Sequence, residues 1–196
     1  MIAIIDCGCP WIKDIKRCVS HLGSSYRIIT LNLLPDTDFT SFSGIIISGG
    51  PTFLSQIDQE KYLHQFQFIK KTDLPVLGIC LGHQILGLLS GSKIYHGEKI
   101  SKQEQIELLQ PSQPDELLVG VADKSSFREE HYEFITLPLE FQILARSDSC
   151  ANAAMKHKQK KIYSVQFHPE VSGSNGEIIF KNFLKICKET NLSNRS

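Results

Sequence analysis

Hydrophobic positions in the first half of the chain follow two periods in alternation. Ile2, Ala3, Ile4 and Ile5 form a short continuous apolar run. Ile12, Ile15, Val19 and Leu22 then recur at the spacing of one helix face, until Gly23 ends the pattern. Residues 26–31 and 44–48 read as two further strands, the second built on Ile45-Ile46-Ile47. Asp58 is placed to cap a helix whose inward positions are Leu63, Phe66 and Ile69. Pro75-Val76-Leu77-Gly78-Ile79-Cys80 is a fourth strand, followed at once by a helix through Gln84, Leu86 and Leu89 to Gly91. Near-continuous apolar strands separated by helices predict a mostly parallel sheet covered on both faces. The expected fold class is α/β.

After Gly91 the texture changes. Short alternating segments around residues 93–100, 106–109, 134–137 and 141–145 add a few antiparallel strands. Residues 161–167 form the last clear strand, and 176–188 a closing helix with Ile178, Ile179, Phe183 and Ile186 inward. Residues 110–116, with two prolines, read as a surface loop. The chain is read as one domain over 1–190, with 191–196 a polar tail expected to fray.

Composition narrows this picture. Of 196 residues, 41% are hydrophobic and 21% charged, which excludes a disordered chain. Lys and Arg number 21 against 21 Asp and Glu, so nothing draws the molecule in bulk to nucleic acid or acidic lipid. No apolar run approaches the ~20 residues of a membrane span. The N-terminus reads as a core strand rather than a signal peptide. The expected location is the cytoplasm, with neither nucleic acid nor membrane as partner.

Six cysteines in a chain without a secretion signal do not predict a disulfide framework. Cys7-Gly8-Cys9 is too tight to bridge to itself, and Cys18 and Cys187 fall in helical patterns as core thiols. A metal set of Cys80, His83 and His168 is geometrically imaginable but disfavoured, and neither metal nor cofactor is expected. His21, His64 and His157 read as solvated or packing residues.

Gly78-Ile79-Cys80-Leu81-Gly82-His83-Gln84 is the sharpest local signal. It has the form glycine, any residue, nucleophile, any residue, glycine, at a strand end just before a helix. Such a turn strains its central residue, and the flanking glycines relieve the crowding. A helix N-terminus beneath the sulfur favours the thiolate. The plainer reading is a buried cysteine whose glycines merely permit close packing.

A cysteine nucleophile needs a base. Gln166-Phe167-His168-Pro169-Glu170 follows a predicted strand, and residues two apart in extended chain point the same way, so His168 and Glu170 can lie side by side. A carboxylate on one imidazole nitrogen orients the ring and stabilises its protonated form. Taken alone, this is a surface turn. Sites in parallel sheets gather at the carboxyl ends of strands, however, and Cys80 and His168 both lie at such ends. Ser48-Gly49-Gly50-Pro51 follows the third strand in the same way, and its glycines let backbone N–H groups approach a ligand.

Together these three stretches resemble the class I, or triad, glutamine amidotransferase family, in order and spacing over nearly the whole chain. The resemblance implies a flavodoxin-like fold and no cofactor. It implies that Cys80 attacks the side-chain amide of L-glutamine and that His168, oriented by Glu170, moves the protons. The N–H groups of Gly50 and Leu81 would form the oxyanion hole. Gly49, Gly50, Pro51, Gln84 and His131 would bind substrate. Within the family, residues 141–147, 154–157, 162–166 and 176–184 look most like the glutaminase of GMP synthase. Those glutaminases carry a Ser-His-Gly-Asp stretch; here Glu130-His131-Tyr132-Glu133 keeps the histidine and lacks the serine and glycine. The resemblance further implies a separate ATP-dependent synthetase as the expected partner.

Other readings stand beside this one. They are a glutaminase subunit of another synthetase, such as anthranilate or aminodeoxychorismate synthase, a free-standing γ-glutamyl hydrolase, and a non-catalytic binding protein that keeps the fold.

Overall fold

The computed structural model describes residues 1–110 and 112–193. Five strands form the parallel part of one eight-stranded sheet. They are β1 (Ile2–Asp6), β2 (Tyr26–Thr30), β3 (Gly44–Ile47), β4 (Val76–Ile79) and β10 (Ile162–Val165). Antiparallel strands β9 (Ala154–His157), β8 (Phe141–Arg146) and β6 (Glu107–Leu108) extend it in the order β2-β1-β3-β4-β10-β9-β8-β6. The long strands β5 (Ile94–Gln105) and β7 (Ser126–Ile135) pair with each other as a separate antiparallel ribbon.

Alternate residues of the parallel strands enter two cores, as the period of two in a strand requires. Ile2, Ile4, Ile46, Leu77 and Ile79 face helix α1 (Ile12–His21) and helix α4 (Gly173–Ser193). Ala3, Ile5, Ile45, Ile47 and Val76 face α2 (Gln59–His64) and α3 (Leu81–Leu89). Helix α4 alone buries Ile179, Phe180, Phe183 and Ile186, each worth about 1.5–3 kcal/mol against exposure. The architecture is the expected α/β sandwich, with the antiparallel strands confined to the second half.

Several element boundaries differ from the sequence reading. The single helix expected after Asp58 is split into α2 and a 3-10 turn at Gln67–Lys70. Asp58 does cap it, its carboxylate accepting from the Lys61 N–H at 3.0 Å. Leu63, Phe66 and Ile69 lie three apart, the period of a 3-10 turn, so all three stay buried after the helix breaks. Strand β7 begins eight residues before the segment expected at 134, and β9 had no counterpart among the expected strands. Helix α4 runs to Ser193, so residues 191–193 of the expected tail are the last residues of that helix. The rest of the expected tail, 194–196, and Pro111 of the expected loop lie outside the described residues.

Candidate active site

The turn between β4 and α3 is built around Cys80, whose φ of 51° and ψ of −102° place it in sparsely populated backbone space. Its N–H is held by the Val165 carbonyl at 2.9 Å, which ties β4 to β10 at the bend. The glycines on either side are sterically required. A Cβ at Gly82 would lie 2.3 Å from the Ile47 carbonyl oxygen, and one at Gly78 would lie 2.6 Å from that of Gly82. Leu81 is the first residue of α3, where the N–H has no acceptor within the helix.

The 48–51 loop locks onto the loop after β1. Ser48 Oγ accepts from the Cys7 N–H at 2.9 Å and donates to the Gly49 carbonyl at 2.8 Å. A Cβ at Gly50 would sit 2.2 Å from the Cys7 carbonyl oxygen. One at Gly49 would lie 3.0 Å from His168 Cε1 and 3.5 Å from Cys80 Cβ. The bare glycine therefore lets the imidazole and the cysteine approach one another. Among the described residues the Gly50 N–H donates to no protein group.

His168 lies three residues beyond β10, and its Nδ1 meets Glu170 Oε1 at 2.8 Å. The pairing is as expected, but its route is not. Glu170 belongs to a 3-10 turn, Pro169–Val171, rather than to extended chain. Both side chains are buried, and the His168 N–H is anchored to the Arg128 carbonyl of β7 at 2.8 Å. Burial alone would lower the His168 pKa; the electrostatic influence of the neighbouring Cys80 sulfur and the Glu170 carboxylate, with the Glu170 hydrogen bond, outweighs it and raises the pKa well above the ordinary histidine value. The Nε2 atom is buried near Cys80 without an aligned hydrogen bond of its own. The Cys80 thiol instead donates to the Glu130 carbonyl at 3.6 Å.

These groups open on one cavity of about 310 Å³, within the size range of small-molecule sites. Gly50, Pro51, Cys80, Gln84, His131 and His168 all line it; Gly49, Leu81 and Glu170 stand directly behind. Gln84 Nε2 is engaged by the Glu133 carbonyl at 3.0 Å and by Gln166 Oε1 at 3.3 Å, so its carbonyl oxygen is what remains for a ligand. His131 has its Nε2 held by Glu129 Oε2 at 2.5 Å, and its ring rests edge-on against Phe134.

Among the cavity's contributors, the sequence reading singled out neither Trp11 nor Phe53, and quoted Tyr132 and Glu133 only within the 130–133 stretch. Trp11 packs edge-on to His168 with ring centroids 4.5 Å apart. Phe53 and Tyr132 meet at 5.4 Å as an aromatic wall. Glu133 accepts from the N–H groups of Leu54 and Ser55 at 2.7 and 2.9 Å, fixing the chain just past the glycine loop. The alternation of Phe127, Glu129, His131 and Glu133 on one face of β7 was the available signal. Burial raises the thiol pKa of the other five cysteines, those of Cys7 and Cys187 to about 12, and all six are free. Among the described residues no three His, Cys, Asp or Glu side chains gather as a metal site, and no helix is long and apolar enough to cross a membrane.

The family model described as Glutamine amidotransferase class-I matches residues 3–186. The chain belongs to the class I glutamine amidotransferase family. Among class I amidotransferases it is 39% identical to the glutamine-hydrolyzing GMP synthase subunit of Pyrococcus abyssi, over 96% of this chain and 100% of that one. It is 36% identical to the corresponding subunit of Methanocaldococcus jannaschii, over 95% and 97%. A solved Thermoplasma acidophilum protein, described as a candidate subunit of GMP synthase, superposes with a TM-score of 0.90 at 25% identity, covering 100% of this chain and 97% of its own.

Proposed function

We propose that this chain is the glutamine-hydrolysing subunit of a two-subunit GMP synthase. The observation that carries the reading is the convergence of Cys80, the His168–Glu170 pair and the free Gly50 N–H around one cavity. In this mechanism Cys80 gives its thiol proton to His168 Nε2, and the resulting thiolate Sγ attacks Cδ of the glutamine side chain. The oxygen becomes an oxyanion between the N–H groups of Gly50 and Leu81, where each donor is worth about 2.7–4 kcal/mol of transition-state stabilisation. The imidazolium of His168 gives a proton to the departing nitrogen, releasing ammonia and leaving a γ-glutamyl thioester on Cys80. His168, now neutral, takes a proton from water as the water attacks the thioester. Glutamate leaves and the thiolate returns. Glu170 holds the ring in the tautomer that both steps use.

Relatives named as glutamine-hydrolyzing GMP synthase subunits, matched along nearly their full length, support the GMP-forming assignment. The partner in this reading is a separate ATP-dependent synthetase subunit that captures the ammonia, in the cytoplasm and without nucleic acid. The altered stretch at 130–133 lines the same cavity, with the Glu130 carbonyl against the Cys80 thiol. It bears on how glutamine is held, and leaves the triad as it stands. The test is ammonia release from glutamine and from a panel of γ-glutamyl amides, by the purified chain alone and titrated with the synthetase subunit encoded with it. Glutamine-selective release that rises on titration, with GMP formed by the two subunits together, is expected. Full turnover alone, unchanged by the synthetase and favouring another γ-glutamyl amide, would make it a free-standing hydrolase.

A further inference from the structure

The loop between β1 and α1 touches the His168–Glu170 pair beside Cys80, with Trp11 in the cavity wall and Cys9 behind Gly49. Its shape is fixed locally: Asp6 Oδ1 accepts from the N–H groups of Gly8 and Cys9 at 2.8 and 3.2 Å. Gly8, at φ +90°, turns the chain against Pro51, where a Cβ would come within 3.1 Å of the proline ring. The turn delivers two side chains. The Cys9 thiol donates to Glu170 Oε1 at 3.8 Å, on the same oxygen that receives His168 Nδ1. Trp11, two residues on, packs edge-on to the His168 ring. Glu170 Oε2 has no partner among the described residues, so the carboxylate is held through one oxygen alone.

We propose that this loop is the positioning element of the His168–Glu170 pair, with Cys9 holding the carboxylate and Trp11 the ring. This role rests on the catalytic reading of the triad and deepens it. A buried thiol suits the task chemically. It is a weak donor that carries no charge, so it restrains Glu170 without neutralising the carboxylate that the imidazolium needs. Burial and the neighbouring Glu170 charge raise the Cys9 pKa, which keeps the thiol protonated as a donor. The other titratable neighbours are Cys80, beside Cys9 and His168, Asp6, beside Cys9, and Cys18, near Glu170. Cys7, in the same turn, sends its side chain into the opposite core and serves as the control.

The experiment follows the His168 ring Nδ1–H resonance by NMR in the full chain, together with steady-state ammonia release with the synthetase present. Cys9→Ala and the volume-keeping Cys9→Val should shift that resonance and speed its exchange with water. Both should lower kcat by about three- to tenfold with KM unchanged, the effect of losing one modest hydrogen bond. Cys9→Ser, which retains a donor, should recover most of both, and Trp11→Phe should disturb the resonance less than Trp11→Ala. Cys7→Ala should leave the resonance in place. Wild-type resonance and kcat in both Cys9→Ala and Cys9→Val would overturn the proposal. So would a serine variant no better than alanine, or an equal shift in Cys7→Ala. An intact, Cys9-dependent resonance in a wild-type chain that releases no ammonia would count against the glutaminase reading and leave the positioning role standing.

Discussion

The two halves of the molecule are held together by different physics. Up to Gly91, the strands β1, β3 and β4 bury nearly every side chain, and those side chains are apolar. Beyond it, the ribbon and antiparallel strands bury carboxylates. Glu104 accepts from Ser149, Glu129 from His131 and Ser147, and Glu133 from the backbone of Leu54 and Ser55. The first half supplies the strained cysteine and the glycine loop, parts that must not move. The second supplies the imidazole, its carboxylate and the polar contacts that connect the ribbon to the cavity. The site sits on the seam, so the fold joins a rigid apolar frame to a wall set by hydrogen bonds.

If both halves are needed, removing the key group of either should be equally damaging. Cys80→Ala and His168→Ala are each expected to lower ammonia release about 10⁴-fold or more, and the double variant no further, as for residues acting as one unit. Additive losses would break the comparison. Glu170→Gln should keep the fold and lose roughly 100-fold less activity than Cys80→Ala, since it orients the ring rather than reacting.

Steric tolerance should also divide along the seam. Gly82→Ala drives a Cβ into the Ile47 carbonyl of the rigid half and should cost about 3 kcal/mol or more in thermal or urea unfolding. Gly97→Ala, in the β5–β7 ribbon, meets only the end of the Phe134 side chain at 2.8 Å. Displacing that ring, packed against Tyr95 and His131, should cost less than displacing backbone, about 1–2 kcal/mol.

Acid should loosen the halves in different windows. His83 of α3 is fully buried, and burial with the neighbouring His131 lowers its pKa from 6.5 to about 3. The unfolded chain therefore takes up that proton first, and the stability His83 leaves intact at neutral pH is lost as pH falls from 6.5 towards 3. Glu116, in the second half, is opposed by burial yet held at about 2 by hydrogen bonds from Lys161, Tyr163 and Lys156. Its contribution is present above pH 4.5 and lost as pH falls towards 2. Stability measured against pH should lose its upper slope in His83→Gln and its lower slope in Glu116→Gln. Unchanged slopes would show that neither proton is linked to folding.

The same division explains what was legible beforehand. Continuous apolar runs made β1, β3 and β4 readable, and the glycines around Cys80 marked the turn because backbone contacts leave no room for a side chain. Strand β7 hid because its buried face carries Glu129, His131 and Glu133, so a search for inward apolar residues finds only its end. His168 and Glu170 were paired correctly from their spacing, although a 3-10 turn brings them together. Trp11 and Cys9 gave no local signal, since their role depends on where the chain returns more than 150 residues later.

The most direct test is covalent. The chain, with its synthetase subunit present, is treated with a glutamine-like diazo-ketone, and the modified cysteine is located by peptide mass mapping. The account predicts that Cys80 is alkylated well before the other five thiols and that glutamine protects it. Modification spread evenly over Cys7, Cys9, Cys18, Cys150 and Cys187, or unaffected by glutamine, would contradict it.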